Sequence, residues 1–224
     1  PVSNTTYEAA RGSAMAALTA ASYVRRGERV AYALCRPPGH HALRARMGGY
    51  CYFNNTAIAA EYLSTRGRVA VLDIDVHHGN GTQDIFYTRS DVLVVNIHGN
   101  PDELYPYFTG RTEEIGQGEG LGHTFNFPLP LGTEDKAYDG ALCAAVSRIR
   151  QFAPNYLVVS VGYDAHRDDP IGRLGQTTPY YSRIARSLAA LRLPTVFIQE
   201  GGYNVETLGS IAQQFVKGFL TGGV

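Results

Sequence analysis

Helix-like and strand-like patterns of apolar residues alternate along most of the chain. The first helix is predicted from residues that recur on one helix face: Tyr7, Ala10, Ala14, Leu18 and Ala21. Thr5 and Glu8 have the spacing of a capping box at its start, and Gly27 is predicted to end it. The same periodicity predicts four further helices, at 56–63, 135–152, 180–191 and 205–220.

Six short runs are rich in apolar residues and predict strands, at 30–34, 69–74, 92–97, 124–129, 156–161 and 195–198. Strands that are apolar on both faces and alternate with helices are typical of a parallel sheet with helices on both faces. The chain is therefore predicted to be an α/β protein. The segment 98–123 is glycine-rich and has no periodicity, which predicts a long functional loop.

A length of 224 residues, with 44% apolar and 18% charged residues, fits one globular domain over residues 1–224. The net charge of zero gives no reason to expect a nucleic acid or a membrane as a partner. The chain shows no secretory signal or spanning run, and its three cysteines are scattered, so we expect a reducing, cytoplasmic compartment. A metal site would then use histidine and carboxylate ligands. The sequence leaves the oligomeric state open, a homo-oligomer included.

Polar residues follow the carboxyl ends of the predicted strands, where the ligand site of a parallel α/β sheet lies. These residues are His40, His41, Asp73, Asp75, His77, Tyr105, Asp164, Glu200 and Tyr203. Their common position predicts a single chemical site at that edge of the sheet.

The segment LDIDVHHGNG at 72–81 has a metal-binding pattern. Side chains two positions apart in an extended chain share a face, so Asp73, Asp75 and His77 line up on one side. Two carboxylates and an imidazole are costly to bury without a cation, and both residue types are ordinary zinc ligands. The alternative for this segment alone is a capping aspartate beside solvated histidines. Asp164 supplies the third ligand of a zinc site that keeps one position open.

Two adjacent histidines, His40 and His41, follow a rigid Pro-Pro-Gly turn in RPPGHHA. An imidazole aimed at a water near the metal is a natural general base. The alternatives are two exposed loop histidines or, less favoured because the strand ends already supply three ligands, additional metal ligands. Tyr203 follows the Gly-Gly turn of EGGYN, which would bring its hydroxyl close to a ligand as an oxyanion donor.

Five motifs, in order along the chain, closely resemble the histone deacetylase and acetylpolyamine amidohydrolase family: RPPGHHA, GGYCYFNN, LDIDVHHGNGTQDIFY, GYDAHRDDP and EGGYN. The resemblance runs from about Thr6 to the C-terminus. It implies the arginase-like α/β fold and a class II-like, bacterial-type zinc deacetylase. Family members usually have further sequence before the point where this chain starts, so we expect the family's N-terminal portion, with early strands and a rim loop, to be missing.

The resemblance also implies roles for the residues around the metal. Asp75, His77 and Asp164 match the ligands of one zinc ion per chain. His41 matches the histidine that acts as general base and then as general acid. His40 matches its electrostatic neighbour, whose ring is held by the carboxylate that matches Asp73.

Further residues of the resemblance concern the substrate and a second ion. Tyr203 matches the tyrosine that polarises the amide carbonyl together with zinc. Gly49, Tyr50 and Tyr105 match the wall of the narrow tunnel that takes the acylated alkyl chain. The family often binds a structural potassium ion around Asp73 and its neighbours, and we expect one here.

Asn80 stands where some deacetylases carry an aspartate that orients the second histidine, as in the class II-like and polyamine-deacetylating branches. An amide cannot supply the charge that raises the pKa of a histidine. We therefore expect His41 to be neutral and ready as a base. Asp168 and Asp169, close to the third predicted ligand, are interpreted as solvated loop acids.

The loop 98–123 carries five acids against one base, Arg111: Asp102, Glu103, Glu113, Glu114 and Glu119. Such a surface attracts a cation, so a small acetylated polyamine and an acetyl-lysine peptide both qualify as substrates, unless the loop is simply solvated. The pattern HGNPDELYPYFTGRTEE resembles the polyamine branch more closely, which slightly favours acetylpolyamines. Two other classes are weighed: a non-catalytic acetyl-group binder and a manganese ureohydrolase, which would need more carboxylates and two metal ions.

Overall fold

The computed structural model describes residues 2–222, which form a six-stranded sheet and six α-helices. The strands are β1 (Val30–Ala33), β2 (Val69–Asp73), β3 (Val92–Gly99), β4 (Thr124–Leu129), β5 (Tyr156–Val161) and β6 (Thr195–Gln199). The helices are α1 (Thr6–Arg25), α2 (Asn55–Ser64), α3 (Asn80–Phe86), α4 (Asp135–Phe152), α5 (Thr178–Ala189) and α6 (Val205–Thr221).

The strands pair in the order β1-β6-β5-β2-β3-β4, and every pair is parallel. On one side of β2 lie β3 and then β4, whereas β5 and then β6 lie on the other side. The β2–β5 boundary is therefore a topological switch point, where the segments that leave the two strands diverge and open a crevice at their carboxyl ends. The predicted parallel α/β sheet is confirmed.

Helices cover both faces of the sheet because residues within a strand alternate between two apolar cores. On β2, Ala70 and Leu72 pack in the core that contains residues of α4, α5 and α6. Val69 and Val71 pack in the core that contains residues of α1 and α2. All four side chains are fully buried, which explains why the sequence is apolar at each position from 69 to 72.

The predicted capping box at the start of α1 is wrong. Thr5 is the N-cap residue, but its side chain makes no capping hydrogen bond. Its hydroxyl lies instead 3.1 Å from the hydroxyl of Ser3. Side-chain caps do form at two other helices, where Asn54 accepts from the Ala57 N–H and Asn204 accepts from the first turn of α6.

The sequence pattern missed α3. This helix has only seven residues, and its buried positions are Gly81, Thr82, Gln83 and Phe86. One apolar residue in such a set cannot produce a helical repeat. The long loop after β3 is present, and within residues 100–123 its helical structure is limited to a 3-10 turn at Gly118–Gly120.

None of the helices within residues 2–222 combines the length and the hydrophobicity that a membrane span requires. Cys35 and Cys51 are buried free thiols, and Cys143 is an exposed one.

Candidate metal centre

Three of the predicted ligands meet at the switch point of the sheet. Asp75 and His77 belong to the segment that leaves β2, and Asp164 belongs to the segment that leaves β5. One ligand atom from each residue lies within 4.8 Å of the other two. All three side chains are buried. The arrangement therefore offers two carboxylates and one imidazole to a single ion, a donor set that suits zinc.

The imidazole of His77 stands between the two carboxylates. Its Nδ1 lies 3.1 Å from Oδ1 of Asp75 and 3.1 Å from Oδ2 of Asp164. Burial lowers the pKa of His77, but the hydrogen bonds to Asp164 and Asp75 outweigh it and raise the pKa to about 11. The carboxylates of Asp75 and Asp164 thus stabilise a positive charge between them, which either a proton on His77 or a metal ion can supply.

Backbone N–H groups hold the free sides of these carboxylates. The N–H of Val76 donates to Oδ1 of Asp164 at 3.0 Å. The N–H of Gly201, just after β6, donates to Oδ2 of Asp75 at 2.8 Å. These bonds orient the carboxylates independently of any ion.

The electrostatics of the two carboxyls also fit a cation. Burial raises the pKa of Asp164, the nearby charge of Asp75 adds to this, and the pKa reaches about 7 despite the hydrogen bond from His77. Burial also opposes the charge of Asp75, but His40 and His77 hold its pKa below the ordinary range. A divalent ion would remove this conflict between two buried acids, so the residues fit the predicted metal.

Two glycines make room for the carboxylates. A Cβ on Gly162 would lie 2.4 Å from Oδ2 of Asp75. A Cβ on Gly201 would lie 2.3 Å from Oδ2 of Asp164 and 2.6 Å from Oδ2 of Asp75. Any side chain at these positions would displace a predicted ligand, which explains the glycines in GYDAH and EGGYN.

The predicted histidine pair lies directly beside this cluster. The ring centroids of His40 and His41 lie 4.0 Å apart, with the ring planes tilted by 42°, and both residues are buried. Nδ1 of His40 is 3.0 Å from Oδ2 of Asp73. Burial lowers the pKa of His40, but the charges of Asp73 and Asp75 prevail and raise it to about 10. His40 is therefore the charged member of the pair.

His41 is the neutral member. Its Nδ1 lies 2.7 Å from the amide oxygen Oδ1 of Asn80. An amide oxygen can only accept, so Nδ1 carries the proton and Nε2 keeps its lone pair. Burial, and then the charge of His40, hold the pKa of His41 well below its ordinary value. This direction agrees with the expected neutral His41, but burial and His40 cause it, whereas the hydrogen bond with Asn80 acts to raise the pKa.

A cavity of about 740 Å³ leads to the cluster. His41, His77 and all three predicted tunnel residues, Gly49, Tyr50 and Tyr105, line it, and so does Tyr203. The Tyr105 ring meets the His41 ring edge-on at 4.9 Å, and the Tyr50 ring lies 6.2 Å from that of Tyr203. The structure therefore brings these six predicted site residues together around one cavity.

The loop acids are less available than the sequence implied. Asp102 pairs with Arg111 at 2.6 Å. Glu114 accepts hydrogen bonds from the backbone of Gly110 and Arg111 within its own loop. Of the five acids, Glu103 lines the cavity, and Arg173 lines it as well.

Two acids near the site have structural partners that the sequence analysis missed. Asp169 was interpreted as a solvated loop acid, but its Oδ2 accepts the backbone N–H of Tyr203 at 2.8 Å. Its Oδ1 accepts the N–H groups of Ile171 and Gly172. Glu200 is buried and holds the backbone of the turn that carries His40. Backbone partners leave no residue-type pattern, so no sequence signal identified these two roles.

His40, Cys51 and Glu200 form a second group with metal-ligand spacing. Its members already have protein partners: His40 bonds to Asp73, the Cys51 thiol donates to the Gly49 carbonyl, and Glu200 accepts from backbone and hydroxyl groups. Burial also raises the pKa of Cys51 well above its ordinary value, which disfavours the thiolate that binds metal. We interpret this group as a hydrogen-bonded support of the first.

Comparison with known proteins finds relatives that match nearly the whole chain. The chain is 51% identical over 220 residues to an acetylpolyamine amidohydrolase of Burkholderia pseudomallei, which covers 98% of this chain and 64% of that protein. It is 43% identical over 219 residues to the acetylpolyamine amidohydrolase of Mycoplana ramosa, covering 97% and 64%. Histone deacetylase 8 of Arabidopsis thaliana is 39% identical, covering 86% and 54%. The chain thus spans 64% of the length of the first two relatives.

Solved structures show the same fold. The crystal structure of acetylpolyamine aminohydrolase from Burkholderia pseudomallei superposes with a TM-score of 0.98 at 50% identity, covering 99% of this chain and 65% of that one. Residues 1–219 match the histone deacetylase domain. The chain therefore belongs to the histone deacetylase family.

Proposed function

We propose that this protein is a zinc-dependent amidohydrolase that removes acetyl groups from amines, with acetylpolyamines as the favoured substrates. The observation that carries the proposal is the convergence of Asp75, His77 and Asp164 beside His41 and Tyr203 at one cavity. Relatives named acetylpolyamine amidohydrolase, at 43% and 51% identity, support it.

Asp75, His77 and Asp164 would hold the zinc ion. When bound, zinc acts as a Lewis acid that polarises a carbonyl and lowers the pKa of water. Three protein ligands leave one coordination position for a water or a substrate oxygen, as catalytic zinc sites require.

His41 would move the proton in this reaction. Its Nε2 lone pair accepts a proton from the attacking water, and the same nitrogen then donates that proton to the leaving amine. Asn80 keeps the proton on Nδ1, so that Nε2 stays available. The charged His40, held by Asp73, favours developing negative charge next to it.

Tyr203 would stabilise the oxyanion. Its side chain lines the cavity, and its backbone is held by Asp169. Burial raises the pKa of its hydroxyl, and the charges of Asp75 and Asp164 add to this, so the group stays protonated and can donate. A hydroxyl that donates to the carbonyl oxygen as charge develops lowers the barrier to attack.

The cavity wall supports a slender cationic substrate. Gly49, Tyr50 and Tyr105 present small and aromatic surface that suits an alkyl chain, and the geometry at Gly49 is tight. Gly49 has φ +52, and a Cβ there would lie 2.2 Å from Cδ2 of His41. Glu103 would attract the distal ammonium group of a polyamine.

A monovalent cation, most simply potassium, is proposed next to Asp73. Oδ1 of Asn96 is buried and has no hydrogen-bond partner within residues 2–222. A Cβ on Gly79 would lie 3.0 Å from that atom and 2.3 Å from Oδ2 of Asp73. A buried acceptor without a partner is costly, and a cation would satisfy it.

Turnover of acetylspermidine and of an acetyl-lysine peptide, measured in competition, tests the proposal. We expect both to be hydrolysed, with the higher kcat/KM for acetylspermidine, one zinc per chain, and loss of turnover with a chelator that zinc reverses. A preference for the peptide would favour a protein deacetylase. Zinc-loaded protein that binds but turns over neither probe would be a non-catalytic binder, and two metal ions per chain would favour a manganese ureohydrolase.

A further inference from the structure

Glu200 is a buried carboxylate that the proposed chemistry does not use. It stands directly after β6 and three residues before Tyr203, and it is 6% exposed. Within residues 2–222, the acids that form ion pairs with arginine do not include Glu200. Burial raises the pKa of Glu200 to about 7. Any charge on a carboxyl in such a place must be satisfied by other hydrogen-bond donors.

Those donors come mainly from the turn that carries the histidine pair. Oε2 of Glu200 accepts the backbone N–H of Gly39 at 2.6 Å and that of His40 at 3.1 Å. Two successive backbone N–H groups that converge on one oxygen form an anion-binding turn. Glu200 therefore contacts the histidine pair through its main chain.

The other oxygen of Glu200 ties this contact to the rest of the sheet. Oε1 accepts from the hydroxyl of Thr56 in α2 at 3.1 Å, and that hydroxyl lies 2.8 Å from the hydroxyl of Ser160 on β5. Thr56 and Ser160 are fully buried. One carboxylate thus links β6, α2 and the histidine turn, with β5 behind them.

The turn has no space in which to move towards α2. A Cβ on Gly39 would lie 2.4 Å from the backbone nitrogen of Asn55. The Pro37 carbonyl of the same turn accepts from the side chains of Ser13 and Asn55. The turn therefore has contacts with α2 on one side and with Glu200 through Gly39 and His40.

We propose that Glu200 is a positioning residue whose carboxylate, by clamping the Gly39–His40 backbone, sets the placement of His41 relative to Tyr203. This inference rests on the proposed amidohydrolase function. The clamp depends on the reach and the acceptor oxygens of the side chain. The charge of Glu200 is secondary.

Two conservative variants separate the effect of side-chain length at position 200 from the effect of its charge. In Glu200→Gln the amide oxygen can accept from the N–H groups of Gly39 and His40. The amide nitrogen can donate to the hydroxyl of Thr56, which then donates to the hydroxyl of Ser160. In Glu200→Asp the charge is kept, but the carboxylate is one methylene short and cannot span both the turn and Thr56. The clamp predicts that Gln is the better substitute, whereas a charge effect predicts that Asp is.

Steady-state kinetics with acetylspermidine measure this order. We expect Glu200→Asp to lower kcat about 10- to 100-fold, the effect of a misplacement of about 1 Å, with KM and zinc content nearly unchanged. Glu200→Gln should lose less than about fivefold. Glu206→Asp, an exposed substitution in the first turn of α6, is the matched control and should leave kcat unchanged. A Gln variant weaker than the Asp variant, or an Asp variant with normal kcat, would overturn the proposal.

Histidine side-chain NMR provides a readout that needs no substrate. In Glu200→Asp the charge is preserved, so shifts of the His40 and His41 ring signals report displacement, and His123, in the loop before β4, should not shift. Unmoved His40 and His41 signals would refute the clamp even if no acetyl amide is turned over, which separates its failure from failure of the proposed function. Should Glu200→Asp not fold, Glu200→Gln decides: near-normal kcat supports the clamp, and a loss above about 100-fold with full zinc refutes it.

Discussion

Replacing Asn80 with aspartate tests whether His41, the proposed general base, stays neutral because its hydrogen-bond partner is uncharged. Oδ1 of Asn80 lies 2.7 Å from Nδ1 of His41, so Asn80→Asp puts a negative charge at that distance without changing the size of the side chain. An opposite charge this close raises a histidine pKa by about 1–3 units. Protonated His41 cannot accept a proton from water. Raising its pKa therefore extends the inactive form to higher pH.

The pH profile of kcat/KM is the measurement. We expect the acid limb of Asn80→Asp to move to higher pH by about 1–3 units, which lowers kcat/KM about tenfold per unit at a fixed pH on that limb. Activity should return as the pH rises above the new pKa of His41. The zinc content should not change, because Asn80 contacts none of the predicted ligands.

Asn80→Ala is the control for this experiment. It removes the acceptor that orients the His41 ring but adds no charge. We expect a lower kcat with the acid limb of the profile near its original position. An acid limb that stays in place in Asn80→Asp would refute the assignment of His41 as the base whose protonation limits the reaction.

Three further predictions concern the proposed oxyanion donor, an acid that lines the cavity and the predicted metal ligands. Tyr203→Phe should lower kcat about 10²–10³-fold with zinc content unchanged, and near-normal turnover would contradict the role of its hydroxyl. Glu103→Gln should raise KM for acetylspermidine about two- to fivefold but not for an uncharged acetyl amide, and equal effects on both substrates would exclude charge recognition. Gly201→Ala should weaken zinc binding about 10- to 100-fold, because its Cβ meets both aspartates, whereas Gly209→Ala, which has open space, should not.

The sheet and the position of the site could both be predicted from the sequence, and for the same physical reason. A strand covered by helices on both faces exposes neither face to water, so β2 is buried over its full length, and residues 69–72 form an apolar run that ends at Asp73. The first polar residues after such a run must lie at its carboxyl end. Asp75 and Asp164 follow neighbouring strands, β2 and β5, and therefore meet.

Short or polar local structure was not readable in this way. The helix α3 has a polar buried face, so no apolar repeat marks it. The acids of the loop 98–123 were counted as one charged surface, but a count does not reveal that Asp102 is neutralised by Arg111 or that Glu114 binds its own backbone. Charge patterns predict attraction only for side chains that the fold leaves free.

Asp169 and Glu200, two acids with backbone partners, show a further limit. Asp169 holds the backbone N–H of Tyr203, and Glu200 holds the backbone of the histidine turn. Every residue except proline carries an N–H, so a carboxylate with backbone partners has no complementary residue to identify it in the sequence. A carboxylate proposed to bind a metal needs further ligand residues near it, and the segment DIDVH together with Asp164 contains them. Sequence patterns therefore indicate the groups proposed to perform the chemistry and their side-chain partners, while a carboxylate that acts through backbone N–H groups becomes visible only when the backbone is traced.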